Sequence, residues 1–295
     1  MWLSRIYYPA LAISSAALMA SIGPIARLSQ VDAASLTFYR LAFGAVAIGL
    51  FLLFSRQLQL VRSSPHWTVV LNGVLLASFI LCFLQAIQTL SLTVAIMLVY
   101  LAPAFAALIA HFWFKERLTP FSLAMILLAF FGFVLLQDLS ADQSGLYSAG
   151  LWYALGSLLT YCAFLLVNKK VPVSEHRLNS TFYQLLVGAC CALPFMLQQD
   201  APSAAQWPWL IAAGLFPGAL ALWCAVQALS HLPARVYGTL AYTEPVVVVL
   251  CAWWFFAEPL SLRQSMGVSL IILAGIAQTA GTKPAQPNDR AVPQA

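Results

Sequence analysis

Apolar residues fall into ten runs, each close to the length of one bilayer crossing, at roughly 6–28, 35–54, 67–89, 93–114, 121–137, 147–168, 179–198, 207–230, 236–256 and 263–280. A helix that spans a membrane needs about 20 mostly apolar residues. Charge, proline or glycine punctuates most gaps: Arg56 to Pro65, Lys115-Glu116-Arg117, Gln137 to Gly145, Lys169 to Arg177 and Gln198 to Trp207. The gap from Ser91 to Thr93 carries no charge, but a single helix over 67–114 would be about twice the bilayer thickness. The pattern predicts an all-α integral membrane protein of ten transmembrane helices.

Composition strengthens that expectation. The chain is 62% hydrophobic and 8% charged, where a soluble domain carries about 25% charged residues. The formal net charge of +5 does not point to nucleic acid, because the basic residues stand singly in short loops. The six cysteines, Cys82, Cys162, Cys190, Cys191, Cys224 and Cys251, all lie inside apolar runs without CxxC spacing, and read as small apolar packing residues. The first run is too long for a signal-peptide core and is expected to be a retained span. The polar segment 281–295 is expected to be a disordered cytoplasmic tail.

Lys and Arg set the direction. With the N-terminus in the cytoplasm, the inner loops collect Arg5, Arg56, Arg62, Lys115, Arg117, Lys169, Lys170, Arg177, Arg235, Lys283 and Arg290, while the outer loops hold Arg27 and Arg263. Asp138, Asp142 and Asp200 then fall outside, both termini are cytoplasmic, and the sequon Asn179-Ser180-Thr181 lies inside and goes unmodified. Every tryptophan except Trp223 sits near a span end, where an amphipathic ring prefers to lie.

The chain repeats itself. Tyr100-Leu-Ala-Pro103 and Phe114-Lys-Glu116-Arg-Leu118-Thr119 recur as Tyr242-Thr-Glu-Pro245 and Phe256-Ala-Glu258-Pro-Leu260-Ser261, at an offset of 142. Thr37-Phe-Tyr-Arg40-Leu41 with Gly44-Ala45 recurs as Thr181-Phe-Tyr-Gln184-Leu185 with Gly188-Ala189, at 144, and Gln85-Ala86 pairs with Gln227-Ala228. The first repeat is set at 1–140 and the second at 146–280. Five spans per copy is odd, so the second copy enters the membrane the other way up. Inverted repeats of this kind build secondary transporters, in which a central site opens alternately to each side.

The run Ala86-Ile-Gln-Thr-Leu-Ser-Leu-Thr-Val-Ala95, with Pro103, Phe114-Lys-Glu-Arg-Leu118 and Gly132, resembles the EamA-type module of the drug/metabolite transporter superfamily. The second half resembles it again through Glu244-Pro245, Glu258-Pro-Leu260 and Gly275. The first span departs from the pattern, with Met19-Ala-Ser-Ile-Gly23-Pro24 where a Trp-Gly pair is often found. The resemblance implies a ten-helix transporter of the bacterial inner membrane, commonly exporting amino acids or other small metabolites.

Matched helix interruptions mark a transport site best, and Pro103 with Pro245 is such a pair. Proline removes a backbone donor and displaces a carbonyl; a simple packing kink is the competing reading. Two ionised groups fall well inside spans, Arg40 and Glu244, with Gln184 and Ala102 at the corresponding places of the other half. Intramembrane charge is expensive and should face a cavity or a partner. Either Glu244 binds a substrate amine or a coupling proton, or Arg40 and Glu244 form a structural ion pair or satisfy local groups. The family resemblance implies a structural role for Arg40. Gln85, Gln227, Tyr100, Tyr242, Tyr161 and Trp223 complete the candidate substrate pathway, an aromatic-walled pocket with few polar groups that suits a small amphipathic solute. The shortage of buried cations argues against phosphorylated substrates. Glu116 and Glu258 read as span-end carboxylates beside the helix starts at Thr119-Pro120 and Ser261, with capping-box spacing from Ser261 to Gln264. His111 and His231 receive no role.

The expected partners are a small-molecule substrate, the lipid bilayer and a coupling proton, with no nucleic acid, cofactor or metal. A passive channel is the competing function. A membrane-embedded enzyme would need a constellation such as HExxH, a Ser-Lys or Asp-Asp pair within spans, or a Gly-rich phosphate loop, and the sequence has none.

Overall fold

The computed structural model describes residues 2–57, 59, 64–87, 92–114, 118–136, 149–172, 174–256 and 261–280. Among them every regular element is helical. In chain order these are α1 (Trp2–Ala20), α2 (Ile22–Ser29), α3 (Ala33–Phe54), α4 (Trp67–Ile87), α5 (Leu92–Val99), α6 (Ala102–Trp113), α7 (Pro120–Leu136), α8 (Ala149–Lys170), α9 (Arg177–Met196), a 3-10 turn Ala204–Gln206, α10 (Trp207–Ala213), a π-helical stretch Gly214–Leu220, α11 (Ala221–Leu229), α12 (Ala234–Ala241), α13 (Thr243–Phe256) and α14 (Leu262–Ala280).

Among the described residues six helical stretches are long and apolar enough to cross a membrane: Ile6–Ala26, Ala33–Phe54, Trp67–Ala86, Gly150–Lys170, Arg177–Met196 and Ala204–Leu229. Ala102–Trp113 and Pro120–Leu135 are shorter apolar helices. Local chemistry sets several starts. Asp32 caps α3 by accepting from the Ser35 N–H at 2.8 Å. Thr119 Oγ1 accepts from the Ser122 N–H at 3.1 Å, at the start of α7. Ser261 and Gln264 form the capping box expected at α14, with bonds of 2.9 and 3.2 Å. Gln30, at φ 52°, ends α2 in the left-handed conformation.

Four expected spans are not continuous α-helices. The run at 6–28 breaks at Ser21 between α1 and α2, that at 93–114 at Tyr100-Leu101, and that at 236–256 at Tyr242. The run at 207–230 loosens into the π-helical stretch around Pro217, the usual response to a residue that cannot join the i→i−4 ladder. Lys115, Glu116, Arg117, Asp138, Asp142, Glu258, Gln88, the break at Ser91 and the tail 281–295 lie outside the described residues.

Large side chains point outward: Phe54, Phe112 and Trp254 are 81%, 75% and 74% exposed. In water this surface would aggregate; against lipid it costs nothing. The interior is instead built from small residues, with Ala20, Ala77, Ala102 and Ala110 fully buried, as helices that pack without a hydrophobic driving force require.

The two sequence halves do not form separate bundles. The closest packing joins one half to the other throughout: α4 to α8, α7 to α14, α3 to α9 and to the π stretch, α1 to α11, and α6 to α12. Two hydrogen bonds express the same exchange. Ser15 Oγ donates to the Ala221 carbonyl at 2.8 Å, and Ser157 Oγ donates to the Phe79 carbonyl at 3.1 Å. Ser157 follows Ser15, and Ala221 follows Phe79, by the repeat offset of 142.

Candidate functional site

The breaks at Tyr100 and Tyr242 meet in the middle of the bundle. Pro103 is the second residue of α6 and Pro245 the third of α13. Neither kinks a running helix; each sits in a first turn, where its missing N–H has no partner to lose. The prolines therefore mark where half-helices begin. The Tyr242 hydroxyl donates to the Tyr100 carbonyl at 2.6 Å, and the two rings lie 6.0 Å apart. A Cβ on Gly238 would stand 3.1 Å from the Pro103 carbonyl oxygen, so glycine lets α12 approach the start of α6.

Glu244 is the second residue of α13, where the positive end of the helix dipole favours a carboxylate. The Tyr100 hydroxyl faces its carboxylate. Tyr161, Tyr237 and Arg40 lie within its electrostatic range, and the Tyr237 hydroxyl stands beside Ser15. Tyr161 stacks on Phe79 at 4.6 Å. Glu244, Tyr100, Tyr161 and Arg40 are enclosed by protein yet only half-buried.

The structure draws Tyr100, Tyr161, Tyr242 and Glu244 into one cluster, with Pro103 and Pro245 beneath it. Gln85 on α4, with Trp223 and Gln227 on α11, are half-buried, and no hydrogen bond ties any of them to Glu244. Trp223 keeps a buried Nε1 with no partner. Tyr237 and Ser15 belong to the cluster although the sequence did not place them there; the signal was available for Ser15, since Ser157 repeats it at 142.

Arg40 and Glu244 do not form the ion pair that was one expectation. The Arg40 Nη2 instead reaches the Pro217 carbonyl at 3.2 Å and Met19 Sδ at 2.8 Å, while its Nε is buried without a partner. The Pro217 carbonyl, within the π stretch, thus has a cation on it. All six cysteines are free. Among the described residues no group of three His, Cys, Asp or Glu side chains could hold a metal ion.

A helical membrane protein whose bundle encloses a carboxylate at a helix break has the form of a solute transporter. Residues 7–137 and 148–277 each match the EamA-like transporter family, and the chain belongs to that family. It is a multi-pass membrane transporter. It is 27% identical to an uncharacterized transporter of Archaeoglobus fulgidus, over 92% of this chain and 95% of that one. It is also 27% identical to the threonine/homoserine exporter RhtA of Escherichia coli (strain K12), over 88% of each. An S-adenosylmethionine uptake transporter of Rickettsia conorii is 22% identical over 78% of this chain and 77% of its own length. One crystal structure superposes with a TM-score of 0.79 at 20% identity, covering 92% of this chain and 97% of that one, which establishes a shared fold.

Proposed function

We propose that the protein is a secondary transporter that exports a small amphipathic metabolite, an amino acid or a related compound, across the bacterial inner membrane by alternating access. In this reading the chain crosses the membrane ten times, as two five-helix repeats, 1–140 and 146–280, in opposite orientations, with both termini and the tail 281–295 in the cytoplasm. The exchanged bonds Ser15–Ala221 and Ser157–Phe79 support it, because contacts swapped by one repeat are what a two-fold relation between halves produces. Lys169 and Lys170 at the end of α8 and Arg177 at the start of α9 support the inner position of the loop between them.

One observation carries the functional reading: Glu244, half-buried, at the start of a half-helix whose break touches the matching break of the other half. The substrate ammonium and a proton compete for this single carboxylate. Occupancy by one at the inner face and by the other at the outer face gives exchange, so a proton gradient drives export. Tyr100 holds the carboxylate in place, Tyr161 walls the site, and Tyr242, fully buried, supports Tyr100 from behind. Gln85, Gln227 and Trp223 line the approach. The resemblance to a threonine/homoserine exporter over 88% of the chain favours amino acids over other metabolites.

The test is counterflow in proteoliposomes preloaded with each common amino acid in turn, with internal pH followed by a trapped dye. A trans-acceleration by one or a few amino acids, with proton movement in the opposite sense, is expected. A passive channel would show flux without trans-acceleration. Glu244→Gln removes a charge-assisted hydrogen bond, worth about 1.5–3 kcal/mol, and is expected to lower transport by tenfold or more and to abolish proton movement. Unchanged proton coupling in a folded Glu244→Gln protein overturns the reading.

A further inference from the structure

We infer that Arg40 is the carboxylate anchor of the substrate site, so that the transporter takes α-amino acids as zwitterions, ammonium on Glu244 and carboxylate on Arg40. The inference rests on the proposed amino-acid reading and adds to it a second recognition point and a selectivity.

The starting observation is that the two intramembrane charges are near each other without touching. Each acts on the other electrostatically, yet Glu244 faces the Tyr100 hydroxyl and Arg40 places its Nη2 on Met19 and Pro217. A cation and an anion enclosed in one bundle ordinarily close into a pair, because the attraction grows steeply as the dielectric falls. Here both are held apart by other contacts: Tyr100 on one, the Pro217 carbonyl on the other. The gap suits a ligand that is itself a dipole, with a cationic end for Glu244 and an anionic end for Arg40. The ammonium and carboxylate of an α-amino acid sit on one carbon, and two charge-assisted hydrogen bonds of about 2.8 Å add the reach to bridge separated groups.

Arg40 has the capacity to accept such a partner. A guanidinium carries five N–H donors. Only Nη2 meets acceptors, and one of those is a thioether, a weak one. Nε is buried with no partner, and the residue as a whole stays half-buried. A fully structural arginine in a bundle interior would have its donors met by carbonyls or hydroxyls, since an unmet buried donor is costly. Gln184, at the corresponding position of the other half, is fully buried; its Nε2 donates to Asn168 Oδ1 at 3.0 Å, while its Oε1 has no partner. The repeat thus keeps a fully buried amide in one half and a half-buried cation in the other. The bond to Pro217 gives Arg40 a fixed base in the π stretch, which orients the free edge.

The test uses purified full-length protein in nanodiscs and measures binding of the common α-amino acids, each paired with its primary amide, which keeps the ammonium and lacks the carboxylate. For the wild type the acid is expected to bind at least about tenfold tighter than its amide, the size of one charge-assisted hydrogen bond. In Arg40→Gln the acid weakens to the level of the amide, and amide binding through Glu244 persists. A purely structural Arg40 would lower the melting temperature and weaken acid and amide together, leaving their ratio unchanged; that result overturns the inference. If Arg40→Gln does not fold, Arg40→Lys retains the charge without the planar fork, and a several-fold loss of the acid preference is expected, whereas an unaltered preference again overturns it. If the wild type binds amino acids with no preference over the amides, the anchor falls and the amino-acid reading stands. If it binds neither, the functional reading itself falls and the anchor with it.

Discussion

Arg40 on α3 and Gln184 on α9 occupy the same place in the two halves, 144 residues apart, and differ in nearly everything except their backbone. Each is overlaid by a glycine of the opposite half. A Cβ on Gly218 would stand 2.5 Å from the Arg40 carbonyl oxygen, and one on Gly73 would stand 3.0 Å from that of Gln184. The close helix approach is thus common to both halves. Around Gln184 it is sealed: the side chain is fully buried and bonded to Asn168. Around Arg40 the opposing helix is a π stretch, whose Pro217 carbonyl receives the guanidinium and whose looser winding leaves accessible surface. The duplicated packing carries the fold, and the unequal side chains placed on it carry the chemistry.

Exchanging the two side chains breaks this comparison most severely. Gln184→Arg would place a cation in a closed site whose known partner is the amide of Asn168, at a cost of about 3–5 kcal/mol for an uncompensated buried charge. Loss of folded protein on size-exclusion chromatography is expected. Arg40→Gln vacates a half-open site and is expected to remain folded, with its effect in binding. Equal yields from both variants would mean that the two environments are alike.

The glycines test the shared part. Gly218→Ala must move the Arg40 backbone, which is held by the α3 ladder, and is expected to cost about 3 kcal/mol, the upper range for overpacking. Gly73→Ala meets Val187 Cβ at 2.7 Å as well as the Gln184 carbonyl, and about 2 kcal/mol is expected. Both are read as losses of thermal stability in detergent, and a neutral Gly218→Ala would show that α3 and the π stretch are not in contact as described.

Much of this architecture is legible in the sequence, and the exceptions have physical causes. Apolar runs report helices well because lipid demands them, and repeated residues report the duplication: the 142-residue step that aligns Tyr100 with Tyr242 also aligns α5 with α12 and the start of α7 with that of α14. Hydropathy says little about where a run is broken. The half-helices at Tyr100 and Tyr242 are as apolar as a continuous span, because the freed backbone groups are met inside the bundle by a tyrosine hydroxyl rather than by polar sequence. The prolines signalled an interruption but suggested a kink, whereas both sit in first turns. The π stretch had Pro217 as its sole mark. Glu244 and Arg40 stood out at once, since charge in a span is conspicuous; that they stay apart depends on Tyr100 and on the π carbonyl, which only the packing reveals.

The Tyr100–Tyr242 contact offers a milder perturbation. Tyr242→Phe removes the bond to the Tyr100 carbonyl inside a fully buried ring cluster with Phe133, and about 1 kcal/mol of stability is expected to go with it. Tyr100→Phe removes the hydroxyl that faces Glu244 instead, so its larger effect is expected on transport. A reversal of these two outcomes would reassign which tyrosine serves the fold and which serves the site.

The smallest effects test the relation between the halves. Ser15→Ala and Ser157→Ala each delete one of the exchanged bonds, to Ala221 and to Phe79. Interhelical bonds within membranes are worth roughly 0.6 kcal/mol on average, so Ser157→Ala is expected to lose about that. Ser15 also stands beside the Tyr237 hydroxyl, for which the first half has only Ala95 at the corresponding position, so Ser15→Ala is expected to lose roughly 1 kcal/mol by the same scale. In a Tyr237→Phe background that extra contact is already gone, and the two serine variants should then cost the same. Convergence in that background, measured as thermal stability, is what equivalent halves require. A persistent gap would show that Ser15 and Ser157 hold unrelated contacts that resemble each other only in their spacing.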